Sequence, residues 1–397
     1  MDFHLDPADE AFREEVRQFL REKLPADMVE RNQRGYHFQR EDMREWTKIL
    51  YEKGWSGANW PKAWGGTGWC HMHQFIFEEE CAMAGAPPID TAGLRMFGPV
   101  IMTFGNDEIK QRYGKPILTG DLFWSQGFSE PNAGSDLGSL TTRAVRDGDD
   151  YVINGRKIWT SYAHTTEVIC VLAKTDMEAK RSFSMIVVNA DAPGVTIRPI
   201  IDIGEGYSLN ETIFEDVRTP ISNLIGEEGQ GWNYAKFLLD NERASSAEVP
   251  LNKSNLMKLR KIAQRKRHDG SRLIDAPGFA SRLAQLEVDF QALELLTLRA
   301  LTEKDSGTRL PVGSLLKVRG SELIQKIGEM QVEALGDYAA YAYPDPHESA
   351  AGYAAWPPGP DYAPGVVSDF MYRRATTIYG GANEVQRTII ARSFLEL

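Results

Sequence analysis

At 397 residues, with 42% apolar and 25% charged side chains, the chain exceeds one ordinary core and implies two or three globular domains. A formal net charge of −11 argues against a nucleic-acid backbone as partner, and no stretch approaches the run of apolar residues that a membrane helix needs. Cys70, Cys81 and Cys170 are too few for a disulfide framework and lack zinc-site spacing. The first residues carry neither a basic nor an apolar signal region, so a cytoplasmic setting is expected.

Asp6-Pro7 reads as an N-cap followed by proline at the first helical position, and Phe12, Val16, Phe19 and Leu20 then share one helical face. Further helical stretches are expected near 40–53, 73–84 and 107–117, with glycine-rich turns such as 65–68 between them. The texture changes near residue 120. Residues 141–146 and 151–159 are strand-like and joined by a Gly-Asp-Asp turn at 148–150, and short β-rich runs follow at 168–174, 183–188, 195–200 and 211–217. From about 233 the helical period returns, with Leu283, Leu286, Phe290, Leu293 and Leu301 marking a long helix that begins after Pro277. Residues 343–365, rich in proline and aromatics, read as a long surface excursion. The order is α, then β, then α, and the expected domains are 1–118, 119–233 and 234–397.

Two charged constellations invite a functional reading and are mainly read otherwise. The basic run 258–267 (Lys-Leu-Arg-Lys-Ile-Ala-Gln-Arg-Lys-Arg) is a solvated helix face first, and a steering patch for an anionic cofactor second. His71 and His73 with Glu78 to Glu80 would be scattered over several helix faces, so no metal is expected there.

The segment 124–137 carries the most chemistry. Its small residues Gly127, Ala133, Gly134 and Ser135 let backbone amides approach a flat or anionic ligand, and the hydroxyls of Ser129 and Ser135 can bond ring edges or phosphate oxygens. On composition alone, an ordinary inter-domain connection fits as well.

Phe128-Ser-Glu-Pro-Asn-Ala-Gly-Ser-Asp136 closely resembles the flavin-binding signature of the acyl-CoA dehydrogenase family. Asn154-Gly-Arg-Lys-Ile-Trp-Thr-Ser161, Phe214–Pro220, Gly226–Trp232 and Tyr379–Arg392 resemble further family segments in the same order. The resemblance implies an α+β fold: an N-terminal helical domain, a middle β-barrel and a C-terminal four-helix bundle. It also implies FAD, an acyl-CoA substrate and electron-transferring flavoprotein as electron acceptor. Carried over, Phe128 and Ser129 would serve the flavin's pyrimidine edge, Ser135 the pyrophosphate and the substrate, Trp159 one ring face, and Ser161 the N5 region. Arg267, Gly381, Ala382, Asn383 and Glu384 complete the expected cofactor contacts, and Arg243, Tyr379 and Gly380 the substrate contacts.

Many members of the family place a catalytic glutamate directly after the tyrosine of the C-terminal motif, where this chain has Gly380. A minority, steroid-degrading bacterial members among them, use a glutamate on an earlier helix just before an arginine. Glu242-Arg243 matches that arrangement, so Glu242 is the expected base; a helix-surface Glu-Arg pair is the plain alternative. Asp240 lies roughly 200° further around the helix. The family's Arg-x-x-Phe-Gly segment is altered at 266–272, and its glycine-rich stretch is reduced to Leu335-Gly-Asp-Tyr-Ala. Both departures point to an altered subunit interface, either in a homo-oligomer or in an α2β2 heterotetramer with a related chain. An acyl-CoA oxidase and a non-catalytic partner subunit are the rival readings.

Overall fold

The computed structural model describes residues 5–35, 37–179, 182–204, 206, 208–241, 247–302, 312–341, 343 and 358–394. The N-terminal region is built from α1 (Pro7–Lys23), α2 (Ala26–Gln33), α3 (Arg40–Lys53), α4 (His71–Ala84), α5 (Gly98–Phe104) and α6 (Asp107–Thr119). Asp6 caps α1 as its sequence signature predicts, accepting from the amides of Ala8 and Asp9. The aromatic-rich face of this region buries Trp46, Trp55 and Phe77 against Val16, Phe19 and Leu20.

The chain then enters the sheet: β1 (Trp124–Gly127), β2 (Arg143–Asp147), β3 (Asp150–Lys157), β4 (Val168–Lys174), β5 (Phe183–Asn189), β6 (Val195–Ile200), β7 (Leu209–Pro220) and β8 (Leu224–Ile225). The strand order is β6-β7-β3-β2-β4-β5-β8, with β1 parallel to β4. The sheet curls around Tyr151, Ile153, Val171, Ile186, Phe214 and Val217, and the Thr219 hydroxyl and Asn223 amide both donate to Val187 O across the gap between β7 and β5. These side-chain bonds draw the two halves of the open sheet together and give the domain its barrel character. Glycine is demanded at Gly155, where a Cβ would fall 2.3 Å from Thr142 Oγ1. The register of β3 against β7 shifts at the same point.

A second helical region follows: α7 (Gly231–Asn241), α8 (Val249–Gln264), α9 (Pro277–Thr302), α10 (Val312–Leu335), α11 (Val366–Tyr372) and α12 (Asn383–Phe394). Helices α8, α9 and α10 share an aliphatic core that includes Leu256, Leu259, Leu283, Phe290, Leu316 and Ile327, and α12 packs on α10 as the fourth helix of the bundle. The leucines expected on one face of α9 are those that enter this core, with Leu301 at its margin. Two junctions hold the regions together. Trp60, Phe97, Tyr113 and Trp124 interlock beneath β1, with Tyr113 edge-on to Trp124 at 5.1 Å. Lys253 of α8 ties Glu79 of α4 (2.6 Å) to Glu294 of α9 (2.9 Å).

The proline-rich excursion needs a partial correction. Residues 344–357 lie outside the described residues; of the remainder, Pro358, Gly359 and Asp361 are exposed as expected, but the end of the segment is docked. Ala363 is fully buried beside Leu335 and Val366, and Gly365 abuts Gly35 closely enough that neither position admits a side chain. Small and apolar residues there fit a docked segment.

Candidate active site

The Phe128–Asp136 segment leaves the end of β1 and runs beside the end of β3. Phe128 divides its duties: its ring is buried against Phe97, edge-on at 6.1 Å, so only its backbone is available to a ligand. A buried ion pair fixes the segment. Lys157 Nζ, with no exposed surface, donates to Glu130 Oε1 (3.0 Å) and to Phe128 O (2.9 Å). Glu130 also accepts from the amides of Thr141 and Thr142 and from the Thr141 hydroxyl. Burial alone would raise the Glu130 carboxyl, but the Lys157 charge and these bonds outweigh it and hold it down at about 2. Removing one partner of such a pair is costly because the other charge stays buried.

Immediately after Lys157 the chain turns outward. The Ile158 amide donates to Ser129 O (2.9 Å) and the Thr160 amide to Asn210 O (2.9 Å), so Trp159 is gripped on both flanks. Trp159 has φ 60°, a left-handed backbone unusual for a bulky residue, and its side chain is 54% exposed. A large aromatic held outward on a strained, pinned backbone is a ready platform for a planar ring, not a core residue. Ser135 and Ser161 are exposed and Ser129 is half-buried. These groups, an open aromatic face beside hydroxyls and a fixed backbone edge, fit a flavin.

Tyr162, also left-handed (φ 59°), ends this turn and lines a cleft of about 700 Å³ between the N-terminal helices, the barrel and the bundle. The opposite wall presents Glu248 and Arg373. Glu248 sits in a left-handed turn that opens α8. Ala247 beside it presses on α10 so closely that a Cβ at Gly320 would meet its carbonyl at 2.2 Å. Arg373 bonds Asp369 (3.0 Å) and lies 3.9 Å from Glu248; burial opposes its charge, but the two carboxylates prevail and raise its pKa. Tyr379 donates to Glu248 Oε1 at 3.4 Å and lies under the Lys317 ammonium, 5.0 Å from the ring centroid. Burial and the Glu248 charge push the Tyr379 hydroxyl up, while burial pulls the Lys317 ammonium down. Lys317 is anchored on Thr376 O.

Known proteins place this geometry. The profiles described as acyl-CoA dehydrogenase N-terminal, middle and C-terminal domains match residues 6–121, 125–217 and 229–395. The chain belongs to the acyl-CoA dehydrogenase family. Members are flavin-dependent oxidoreductases, and the chain is an enzyme of that class. The acyl-CoA dehydrogenases FadE26 and IpdE1 of Mycobacterium tuberculosis are each 32% identical, over 405 and 401 residues that cover 98% of this chain and 97% of theirs. A solved structure described as the Tcur3481–Tcur3483 steroid ACAD superposes with a TM-score of 0.84 at 31% identity, covering 100% of this chain and 99% of that one. The ChsE4–ChsE5 complex from Mycobacterium tuberculosis gives 0.84 at 32%, with the same coverage.

Within one chain the expected site residues form two groups and an outlier. Phe128, Ser129, Trp159 and Ser161 cluster on the barrel. Tyr379 to Glu384 open α12 against α10, where Asn383 is buried and accepts from the Ser321 hydroxyl (3.1 Å). Gly380 and Gly381 are left-handed (φ 63° and 88°), and a Cβ at Gly380 would touch only Lys317 Cε, at 3.8 Å, so that position is open. Ala382 is half-buried, and Glu384 is exposed beside Arg387. Arg267 is the outlier, exposed in the loop after α8 beside Gly336 at the far end of α10. Lys317 and Gly336 are 19 residues apart on and just past that helix, roughly 28 Å by its rise. Arg267 therefore does not join the other groups in the same chain. Glu242 and Arg243 lie outside the described residues, directly after the last turn of α7.

The charged constellations resolve into structure. Glu79 and Glu80 pair with Arg13, Arg17 and Lys253, Glu78 pairs with Arg95, and His73 stacks on Phe12 at 4.0 Å. The run 258–267 is not one solvated face: Arg260 pairs with Glu287, Arg265 with Asp361, Leu259 and Ile262 are core, and Lys258 lines the cleft. Sequence reasoning missed Glu248, Arg373 and Lys317. They carry no motif, and 131 residues separate Glu248 from the tyrosine it meets.

Proposed function

We propose that the chain is an FAD-dependent acyl-CoA dehydrogenase that introduces an α,β-double bond into an acyl thioester, with Glu242 as the base. The observation that carries this reading is the pinned, outward Trp159 beside Phe128 and Ser129, on a turn whose Tyr162 end reaches the same cleft as Glu248 and Arg373. Phe128 and Ser129 would hold the pyrimidine edge of the flavin, Ser135 the pyrophosphate, Trp159 a ring face, and Ser161 the N5 region. Gly381, Ala382, Asn383 and Glu384 would contribute from the bundle, and Arg267 from a neighbouring subunit. FAD, when bound, supplies the acceptor for the hydride that leaves the β-carbon.

Glu242 would take the α-proton; a desolvated carboxylate within hydrogen-bond reach is what that abstraction requires. Gly380 leaves the space beside Tyr379 free of a side chain, so the base must come from elsewhere. Ser135, Arg243, Tyr379 and Gly380 would contact the substrate, and electron-transferring flavoprotein would take the electrons onward. Arg267's separation from the rest of the site favours an assembly in which a neighbouring subunit completes the cofactor site. A related second chain is the form we favour, because two similar solved structures are described as pairs of chains.

The test is anaerobic titration of the purified chain, alone and with its related chain, using a panel of acyl-CoAs. Substrate should bleach the flavin of the wild type, and Glu242→Gln should slow bleaching by roughly 10²–10⁴-fold. Equal bleaching in both would move the base to another residue.

A further inference from the structure

The cleft follows α8 for two turns, touching Pro250, Leu251, Ser254, Asn255 and Lys258, a face about 12 Å long by the helix rise. Its two ends differ. Near the N-terminus of α8, Glu248 and Arg373 sit beside Tyr379. At the other end stands Lys258. The other cations lining the cleft are each matched by a carboxylate: Arg40 by Glu167, Arg95 by Glu78 and Arg373 by Asp369. Lys258 is half-buried and has no hydrogen bond or ion pair among the described residues; Asp369, held by Arg373, acts on it only from beyond ion-pair distance. Burial accordingly pulls its ammonium below the usual lysine range.

An ammonium kept in a cleft without a partner is unfavourable unless a ligand supplies the partner. A lysine offers three donors and no acceptor, so the matching group is an oxygen acceptor, and an anion also offsets the buried charge. We propose that Lys258 receives a carboxylate at the remote end of the acyl group, so that the preferred substrates are acyl-CoAs bearing a second carboxyl roughly the length of the α8 face from the thioester end. The inference rests on the cleft being the acyl chamber of the dehydrogenase proposed above. The thioester would lie toward Tyr379 and Gly380, and the distal carboxylate toward Lys258.

The test measures binding in the Glu242→Gln background, so that it does not depend on turnover. Decanedioyl-CoA and decanoyl-CoA are titrated calorimetrically into the flavin-loaded protein. The proposal expects decanedioyl-CoA to bind roughly tenfold or more tightly, the scale of one charge-assisted hydrogen bond. Lys258→Met should remove that preference while leaving decanoyl-CoA affinity unchanged, and Lys258→Arg should retain part of it. Equal affinity for the two thioesters in the parent protein, absence of binding by either, or an equal loss of both in Lys258→Met would overturn it. Failure of the dehydrogenase reading looks different: the preference would persist while wild-type flavin is not bleached by any thioester.

Discussion

The two walls of the site are built on opposite principles. The barrel wall is held by one dry ion pair, Lys157 with Glu130, and by backbone bonds on either side of Trp159, drawn, Asn210 apart, from segments that also carry the recognisable motifs. The bundle wall is a spread of charges, Glu248, Arg373, Asp369 and Lys317 around Tyr379, contributed by three stretches of chain and linked by longer contacts of 3.4 to 3.9 Å as well as short ones. The contrast sets a fixed, dry wall beside Trp159 against a looser set of charges around Tyr379, the arrangement that the proposed roles of the two walls call for.

The sharpest way to break the comparison is to remove Lys157. Lys157→Met strands a buried carboxylate and should destabilise the protein by about 3–5 kcal/mol in urea denaturation, with flavin retention falling in parallel. Adding Glu130→Gln, which removes the stranded charge while keeping an acceptor for the Thr141 and Thr142 amides, should recover part of that loss. A loss no larger than that of a surface lysine would mean that the barrel wall is not held in this way. A medium effect lies in pH. Glu130 titrates at about 2 in the folded chain against an ordinary 4.5, so its contribution to stability is fully present above about 4.5 and is lost as pH falls toward 2. Glu130→Gln should therefore flatten the stability–pH curve in that window by up to about 1.4 kcal/mol per pH unit. An unchanged slope would assign acid lability to other groups. The smallest effect is expected on the bundle wall, where Tyr379→Phe removes a 3.4 Å bond to Glu248 and the hydroxyl's interaction with Arg373, and should cost about 1 kcal/mol or less. A larger loss in denaturation would show that wall to be as tightly determined as the other.

The same contrast explains what could be read from the sequence. Helix α3 (40–53), the barrel strands and the long helix after Pro277 were legible because each satisfies a local period or turn chemistry. The barrel wall was partly legible, since its motifs are contiguous, although nothing local announces that Lys157 of one motif neutralises Glu130 of the other. The bundle wall was opaque. Glu248, Lys317 and Arg373 are ordinary charged residues in helical sequence, and only packing brings them to Tyr379. The basic run misled for the same reason: Lys258 and Arg260 are two residues apart, yet one lines a cleft and the other pairs across the surface.

Helix α10 has a length that cannot drift. Gly320 sits against the Ala247 carbonyl, Ser321 holds Asn383, and Gly336 closes the far end beside Arg267. One residue inserted between Ser321 and Gly336 would turn one end relative to the other by about 100° and advance it by about 1.5 Å, so both ends could not keep their neighbours. Length variation among chains built this way should collect in the proline-rich segment that follows and spare the helix, making α10 the ruler against which the two ends of the bundle are set.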